Sequence, residues 1–258
     1  MSKRSRGNTK RVREKEIEFL QHALEANGHA ITEGPKRKTW SIRDLKQIKP
    51  KNPAQEELFH AWHNGKHLVA HGSAGTGKTF LAFYLALQEV FDQRARRVII
   101  VRSAVATREI GFLPGTLEEK TAMYELPYKD IAWELIGRNS TYDDMKEAGV
   151  IEFMTTSFVR GLTWDNAVVL VDEGQNMTFH EINSIMTRIG NNTRIIFTGD
   201  TKQTDLDGKR LGFEGMTHAL KVMKDMDGFE SVEFTKYDIV RSMFVKEWIT
   251  ACEEKCPA

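Results

Sequence analysis

The stretch from Gly72 to Thr79 constrains the fold of this chain more than any other. It reads Gly72, Ser73, Ala74, Gly75, Thr76, Gly77, Lys78 and Thr79, and so fits the pattern G-x-x-x-x-G-K-[ST]. An apolar run at 67–71 precedes it and a helix-like segment follows from Phe80, which is the strand, loop and helix order that the pattern needs. Glycines let backbone N–H groups approach an anion closely. The stretch therefore predicts a phosphate-binding loop, with Lys78 on the β- and γ-phosphates and the Thr79 hydroxyl on Mg²⁺.

Two carboxylates supply the second half of the predicted nucleotide site. The aliphatic run at 167–171 leads directly into Asp172 and Glu173. In this position Asp172 is expected to hold Mg²⁺ through water, and Glu173 is expected to polarise the attacking water as a general base. The predicted cofactors are ATP and Mg²⁺. The second acid favours hydrolysis over phosphoryl transfer to a bound substrate, although this pattern alone leaves a kinase open.

Uninterrupted aliphatic runs predict a mainly parallel sheet. Such runs at 97–102, 167–171 and 194–197 indicate strands that are covered on both faces, and helical segments separate them. A last strand is expected at 231–234, and Asp238–Arg241 is expected to open the final helix. Another helix is expected at 117–136, and Pro127 should kink or split it. The predicted fold class is α/β, a P-loop NTPase with a mainly parallel sheet flanked by helices.

Five further side chains are candidates for the site. An amide can donate and accept at once, so Gln55 is predicted to read the adenine edge. Asp200 and Gln203 follow the strand at 194–197 and are placed to sense the γ-phosphate. Arg102 and Arg108 could hold a nucleic-acid phosphate or a nucleotide, and a structural ion pair is the alternative for both.

Charge is distributed unevenly along the chain. The net charge of the chain is +1, but residues 1–51 contain 14 basic and 6 acidic side chains. The net charge of this segment is therefore +8, and that of the remaining residues is −7. We therefore divide the chain into a basic arm at 1–51, with one helix at 12–26 and a linker, and an ATPase domain at 52–258. A basic arm favours an anionic partner such as nucleic acid, and a solvated tail remains the alternative.

Composition excludes some other classes. No run of about eighteen apolar residues occurs and no apolar segment follows the basic N-terminus, so neither a membrane span nor a signal peptide is expected. The expected location is the cytoplasm. Cys252 and Cys256 are the two cysteines, and a pair without partner ligands favours reduced thiols over a zinc site.

A set of motifs gives the chain a family resemblance over about residues 50–250. The segments are Gly72–Thr79, Gly111–Gly115, Asp172–Asn176, Thr187–Gly190, Thr198–Asp200 with Gln203, and Asp238–Arg241. In these segments the chain resembles the PhoH family of phosphate-starvation-inducible P-loop ATPases. Members of this family look like a single RecA-like core of the superfamily 1 helicase type, are often linked to RNA metabolism and are often encoded by bacteriophages. The chain departs from the common pattern in Gly174, where alanine is usual, in its basic arm, and in the expected absence of a fused PIN or KH domain.

The resemblance also predicts an assembly. A superfamily 1 helicase places ATP between two cores and takes an arginine finger from the second, but residues 52–258 suffice for one core. Another subunit would then supply the second wall, so we expect a homo-oligomeric ring, in particular a hexamer. Arg188 and Arg241 are the candidate fingers, and either could instead act within its own subunit.

The function predicted from these features is Mg²⁺-dependent ATP hydrolysis coupled to single-stranded nucleic acid, RNA rather than DNA, in the manner of a helicase or translocase. A second hypothesis is a nucleotide-gated interaction module, in which ATP orders a protein-binding surface. A kinase is the third hypothesis, although no acceptor-binding motif is recognisable.

Overall fold

A computed structural model describes residues 40–103, 117–138, 141–200 and 215–255. The predicted helix at 12–26, the segment Gly111–Gly115, and the candidate residues Arg108 and Gln203 lie outside these ranges. Cys256 also lies outside them, and Cys252 is a free thiol.

Six strands form one parallel sheet with the order β3-β2-β4-β5-β1-β6. This confirms the predicted α/β class with a parallel sheet. The loop that follows β1 and the carboxylates that follow β4 therefore lie at the same edge, with β5 between them. The strands are β1 (His67–Gly72), β2 (Arg97–Arg102), β3 (Ile151–Thr155), β4 (Ala167–Val171), β5 (Arg194–Gly199) and β6 (Phe229–Phe234).

Helices cover both faces of the sheet, which explains why the strands are aliphatic without interruption. Alternate residues of β4 point to opposite faces: Val168 and Leu170 join one buried cluster, and Val169 and Val171 join another. Side chains of α1 to α4 belong to the first cluster, and those of α5 and α6 belong to the second. The helices are α1 (Pro53–His63), α2 (Lys78–Phe91), α3 (Leu117–Ile136), α4 (Thr141–Glu147), α5 (Phe179–Met186), α6 (Gly215–Lys224) and α7 (Met243–Lys255).

Two local expectations differ from the structure. Helix α3 includes Pro127 and is continuous from Leu117 to Ile136, so the proline does not split it. The segment Asp238–Arg241 does not open the last helix, which begins at Met243. A short 3-10 turn at Lys236–Asp238 comes first, and the backbone N–H of Val240 then donates to the Gly75 carbonyl oxygen at 3.1 Å. This tertiary hydrogen bond holds the segment against the loop.

The end of the predicted linker contacts the domain. Leu45 is buried in the core, and Trp40 and Ile48 pack against it. The Lys46 N–H donates to the Leu135 carbonyl oxygen at 2.8 Å, and the Lys51 N–H donates to the Gln55 side-chain oxygen at 2.8 Å. Residues 40–51 thus border the site, while the proposed boundary between arm and domain stays a prediction.

Candidate nucleotide site

Positive φ angles shape the loop between β1 and α2. Gly72, Gly75 and Gly77 have φ values of +113°, +72° and +88°, a region that favours glycine. Gly72 is also crowded, because a Cβ atom there would lie 2.0 Å from the carbonyl oxygen of Phe234. That carbonyl accepts a hydrogen bond from the Ser73 N–H at 2.8 Å. The first glycine of the motif therefore permits the loop to lie directly on β6.

The side chain of Lys78 lies within this loop. Its ammonium group donates to the carbonyl oxygens of Gly72 at 2.8 Å and of Ser73 at 2.7 Å. Gly77 has a left-handed conformation at the N-cap of α2, so the backbone turns sharply into the helix. A positive charge and the N-terminus of a 14-residue helix thus meet at one point, as binding of a phosphate group requires.

Asp172 is the centre of a hydrogen-bond network beside the loop. Its Oδ1 atom accepts from the hydroxyls of Thr79 at 2.8 Å and Thr198 at 2.5 Å, and its Oδ2 atom accepts from the Tyr128 hydroxyl at 2.6 Å. The Asp172 N–H donates to the Val101 carbonyl oxygen at 3.0 Å. The side chain is only 4% exposed, so these donors replace water around a buried carboxylate.

The contact between Thr79 and Asp172 fits a magnesium ion. A hydroxyl and a carboxylate are the hard oxygen ligands that Mg²⁺ takes, and the remaining positions usually belong to water and to substrate phosphates. Within the part of the chain that the structure describes, no group of three or more His, Cys, Asp or Glu side chains could hold a metal ion.

Glu173 adopts a strained backbone conformation next to Asp172. Its φ of +54° and ψ of +44° lie in the left-handed region, which costs a non-glycine residue about 1–3 kcal/mol and occurs often at functional sites. Gln175 orients the side chain: its Nε2 atom donates to Glu173 Oε2 at 2.6 Å, while its Oε1 atom accepts from the Asp200 N–H at 3.0 Å. Gln175 thereby connects the carboxylate after β4 to the end of β5.

The surroundings of Glu173 disfavour its charged form. Burial, and then the neighbouring charge of Asp172, raise the pKa of Glu173 above its usual range, although the Gln175 hydrogen bond and the charges of Arg102 and Lys78 oppose the shift. The raised pKa brings Glu173 closer to the working range of a general base, because such a base is most effective when its pKa lies near the operating pH.

The raised pKa predicts the acid limb of the pH profile. The sequence predicts that Glu173 is the general base, and such a base is active when deprotonated. With that role, kcat/KM for nucleotide hydrolysis is expected to fall as the pH drops through the pKa of Glu173 in the free enzyme. The midpoint should lie above the value of about 4.3 for an unperturbed glutamate. Initial rates measured from pH 4.5 to 8 test this, and a profile that stays flat to pH 4.5 would contradict it.

Arg102 lies at the end of β2, beside these carboxylates. Its Nη2 atom is 3.8 Å from Glu173 Oε1, and its guanidinium lies 5.6 Å from the centre of the Tyr124 ring. Burial acts against its charge, yet Tyr128, Asp172 and Glu173 together raise the pKa of Arg102. Arg102 also lines the nucleotide cleft. Its contact with nucleic acid remains a prediction.

Gln55 lies in the cleft and is 3% exposed. Its Oε1 atom accepts from the Lys51 N–H at 2.8 Å, and its Nε2 atom donates to the Thr76 carbonyl oxygen at 3.1 Å. A primary amide has a second N–H and a second lone pair. These two bonds therefore fix the side chain and leave it able to donate and accept further hydrogen bonds. The predicted reading of adenine by Gln55 stays a prediction, and its bond to Thr76 anchors α1 to the phosphate loop.

One cleft of about 640 Å³ brings most of the candidates together. Asp200 and Arg241 lie on its wall, and a Cβ atom on Gly75 would lie 3.1 Å from the Arg241 Cγ atom. Arg188 is not among the residues that line it; its Nε atom donates to the Val159 carbonyl oxygen at 3.3 Å. The candidate residues at the cleft are Gln55, Ala74 to Thr79, Arg102, Asp172, Glu173, Asp200 and Arg241.

Two residues of the site were not found from the sequence. Tyr128 lies in an unremarkable helical segment far from every motif, and its hydroxyl reaches Asp172 only because α3 packs against α2 and β3. Thr198 belongs to one of the matching segments, yet the sequence assigns the sensing of the γ-phosphate to Asp200 and Gln203. A polar residue at the end of an aliphatic strand was the available signal for Thr198, and nothing comparable marked Tyr128.

Comparison with known proteins gives a consistent result. The family model described as PhoH-like protein matches residues 47–253. A PhoH-like protein of Bacillus subtilis is 32% identical over 248 residues, which are 95% of this chain and 73% of that protein. Protein PhoH of Escherichia coli is 33% identical over 211 residues, and a PhoH-like protein of Synechocystis is 38% identical over 183 residues. The chain spans 59% and 55% of the length of these last two relatives.

Two solved structures that match the chain resemble it only distantly. The Pif1 helicase from Candida albicans matches with a TM-score of 0.37 and 15% identity, over 73% of this chain and 41% of the helicase. The Sulfolobus solfataricus SWI2/SNF2 ATPase core in complex with dsDNA matches with a TM-score of 0.41 and 13% identity, over 78% of this chain and 46% of that core. Likeness at this level carries no functional argument, and the fold assignment follows from the sheet itself.

Proposed function

The chain belongs to the PhoH-like protein family, and from this premise we propose that it is a magnesium-dependent ATPase coupled to single-stranded nucleic acid, RNA rather than DNA. The single observation that carries the ATPase part is the contact between Thr79 and Asp172, because it joins the phosphate loop to the carboxylate of β4. A phosphate loop alone could bind many anions. The Thr79 hydroxyl and the Asp172 carboxylate add oxygen atoms of the kind that hold a cation bound to a nucleotide.

In the proposed hydrolysis, each side chain of the site has a separate role. When bound, Mg²⁺ would neutralise charge on the β- and γ-phosphate oxygens. Lys78 and the first backbone N–H groups of α2 would hold the phosphates. The Thr79 hydroxyl would be a ligand of the ion, and Asp172 would hold the ion through water. Glu173 polarises the attacking water, and Gln175 keeps its carboxylate in place. Arg241 lies at the cleft wall, where it can contact the γ-phosphate in its own subunit.

Charge supports the nucleic-acid part of the proposal. Residues 1–51 have a balance of +8, and Lys49 and Lys51 line the nucleotide cleft. Contacts between Lys or Arg and phosphates release counterions, so they provide affinity without any reading of sequence. The proposed location is the cytoplasm, or the host cytoplasm for a phage-encoded protein. Among the helices that the structure describes, none has the length and apolar character of a membrane span.

Ring assembly is a separate proposal. Arg188 donates to the Val159 carbonyl oxygen and does not line its own cleft, so a catalytic role would require it to act on a neighbouring subunit. Arg241 lines its own cleft and needs no such assembly. We propose a homo-oligomeric ring, a hexamer, and a monomeric mass by light scattering in the presence of a non-hydrolysable ATP analogue would contradict it.

The alternative function has one specific observation in its favour. Three large apolar side chains on α7, close in sequence to Arg241 at the cleft, are highly exposed: Met243 is 70% exposed, Phe244 75% and Trp248 65%. Exposed apolar patches often mark protein contacts. Exposed apolar side chains on α7 fit a nucleotide-gated interaction module, in which hydrolysis resets a bound partner.

Stimulation by nucleic acid separates the two functions. We expect single-stranded RNA to increase the steady-state rate of ATP hydrolysis by the full chain, and to do so less at moderate salt than at low salt, because phosphate contacts weaken with salt. The rate should be measured with single-stranded RNA, single-stranded DNA and no polymer at each salt concentration. A rate that neither polymer changes at any salt would contradict nucleic-acid coupling and favour the interaction module.

A further inference from the structure

Tyr128 connects helix α3 to the carboxylate that the proposed function assigns to magnesium. Its side chain is fully buried, and its hydroxyl donates to Asp172 Oδ2 at 2.6 Å. Thr79 and Thr198 donate to the other oxygen, Oδ1. The two oxygens therefore have separate donors: Oδ1 faces the phosphate loop, and Oδ2 faces α3.

Packing holds the Tyr128 ring in one orientation. The ring meets Phe83 of α2 edge to face, with centroids 5.7 Å apart, and it lies 6.1 Å from the Phe153 ring of β3. Phe83 belongs to the helix that begins at the phosphate loop, so the ring is fixed relative to the loop as well as to the sheet. Such contacts restrict the hydroxyl to the position from which it reaches Asp172.

We infer that Tyr128 is a positioning residue for the metal carboxylate, which it holds so that Oδ1 remains directed at Thr79. This inference rests on the proposed function, because it concerns the same site. A carboxylate held at one oxygen cannot rotate freely about its Cβ–Cγ bond, so its other oxygen keeps its position at the proposed metal site. Partners that orient a metal-binding side chain in this way typically change metal affinity or activity about 10- to 100-fold when they are removed.

The test is Tyr128→Phe in the full chain, with binding of a fluorescent ADP analogue as the readout. The substitution removes one hydroxyl and keeps the ring that packs on Phe83 and Phe153. We expect the Mg²⁺ concentration that gives half-maximal enhancement of binding to rise about 10-fold or more. Binding in EDTA should stay unchanged, which also verifies that the variant is folded.

Tyr142→Phe is the matched control. Tyr142 is 2% exposed and lies on α4, where its neighbouring carboxylate is that of Glu125 rather than Asp172. Removing its hydroxyl perturbs a buried tyrosine of the same cluster without touching the site. Its Mg²⁺ dependence is expected to match that of the wild type.

A double-mutant cycle distinguishes positioning from a general structural effect. If Tyr128 acts through the carboxylate, Tyr128→Phe should not shift the Mg²⁺ dependence further in an Asp172→Asn background. An unchanged Mg²⁺ dependence in the Tyr128→Phe variant, or equal shifts in Tyr128→Phe and Tyr142→Phe, would overturn the inference. Absence of Mg²⁺-enhanced binding in the wild type would instead overturn the proposed function, and this inference with it.

Discussion

Replacement of Glu173 by glutamine is expected to lower ATP hydrolysis roughly 10²- to 10⁴-fold, the usual contribution of a general base. The amide keeps the size of the side chain but cannot accept a proton from the attacking water. Lys78, Thr79 and Asp172 are untouched, so binding of ATP and Mg²⁺ should persist. The variant is therefore expected to bind ATP and stall, which phosphate release and equilibrium nucleotide binding would measure together.

Glu134→Gln provides a control of the same chemistry in the same cleft. Glu134 lies on α3 and lines the cleft, but it does not follow β4. Its replacement changes the local charge by the same amount, and hydrolysis is expected to stay close to the wild-type rate. Equal losses in the two variants would show that charge in the cleft, rather than a base at Glu173, determines the rate.

Replacement of Gly72 by alanine is expected to destabilise the protein severely. The residue has a φ of +113°, and a Cβ atom would lie 2.0 Å from the Phe234 carbonyl oxygen. Relief of this clash requires movement of the β6 backbone, which pairs with β1 along its whole length. Backbone strain and overpacking each cost about 1–3 kcal/mol, so we expect a loss of roughly 2–6 kcal/mol in the free energy of unfolding, measured by chemical denaturation.

The Gly65→Ala variant is a control that measures the cost of the backbone conformation in the absence of a clash. Gly65 has a φ of +81°, but a Cβ atom there would meet nothing within 4 Å. Only the left-handed conformation is then unfavourable, at about 1–2 kcal/mol. A Gly72→Ala variant no less stable than the Gly65→Ala variant would mean that the contact between the loop and β6 is not as close as described.

The features that the sequence predicted well are those with local signals. A glycine pattern between an apolar run and a helix identifies the phosphate loop from adjacent residues. The aliphatic run at 167–171 predicts β4 because both faces of a parallel strand are covered, and Asp172 and Glu173 follow from its end. None of these predictions depends on residues that are distant in the sequence.

The contacts that complete the site depend on tertiary packing. The Tyr128 hydroxyl donates to a carboxylate 44 residues further along the chain, and no periodicity or spacing in the sequence predicts this hydrogen bond. The same reason explains the error at the last helix, where the Val240 N–H bonds to Gly75 and residues 239–242 lie outside any helix. Gln55 shows the same limit: its position before the loop makes it a candidate from the sequence, while its bonds to Thr76 and Lys51 depend on packing.

Phosphate release by the wild-type full chain is the most direct test of the central claim, that the cleft between Gly72–Thr79 and Asp172–Glu173 hydrolyses ATP. It should be followed over time with ATP in Mg²⁺ and in EDTA, each with and without single-stranded RNA. We expect release that saturates with ATP, requires Mg²⁺ and increases with RNA. Release no faster than that of a protein-free blank under every condition would contradict the claim.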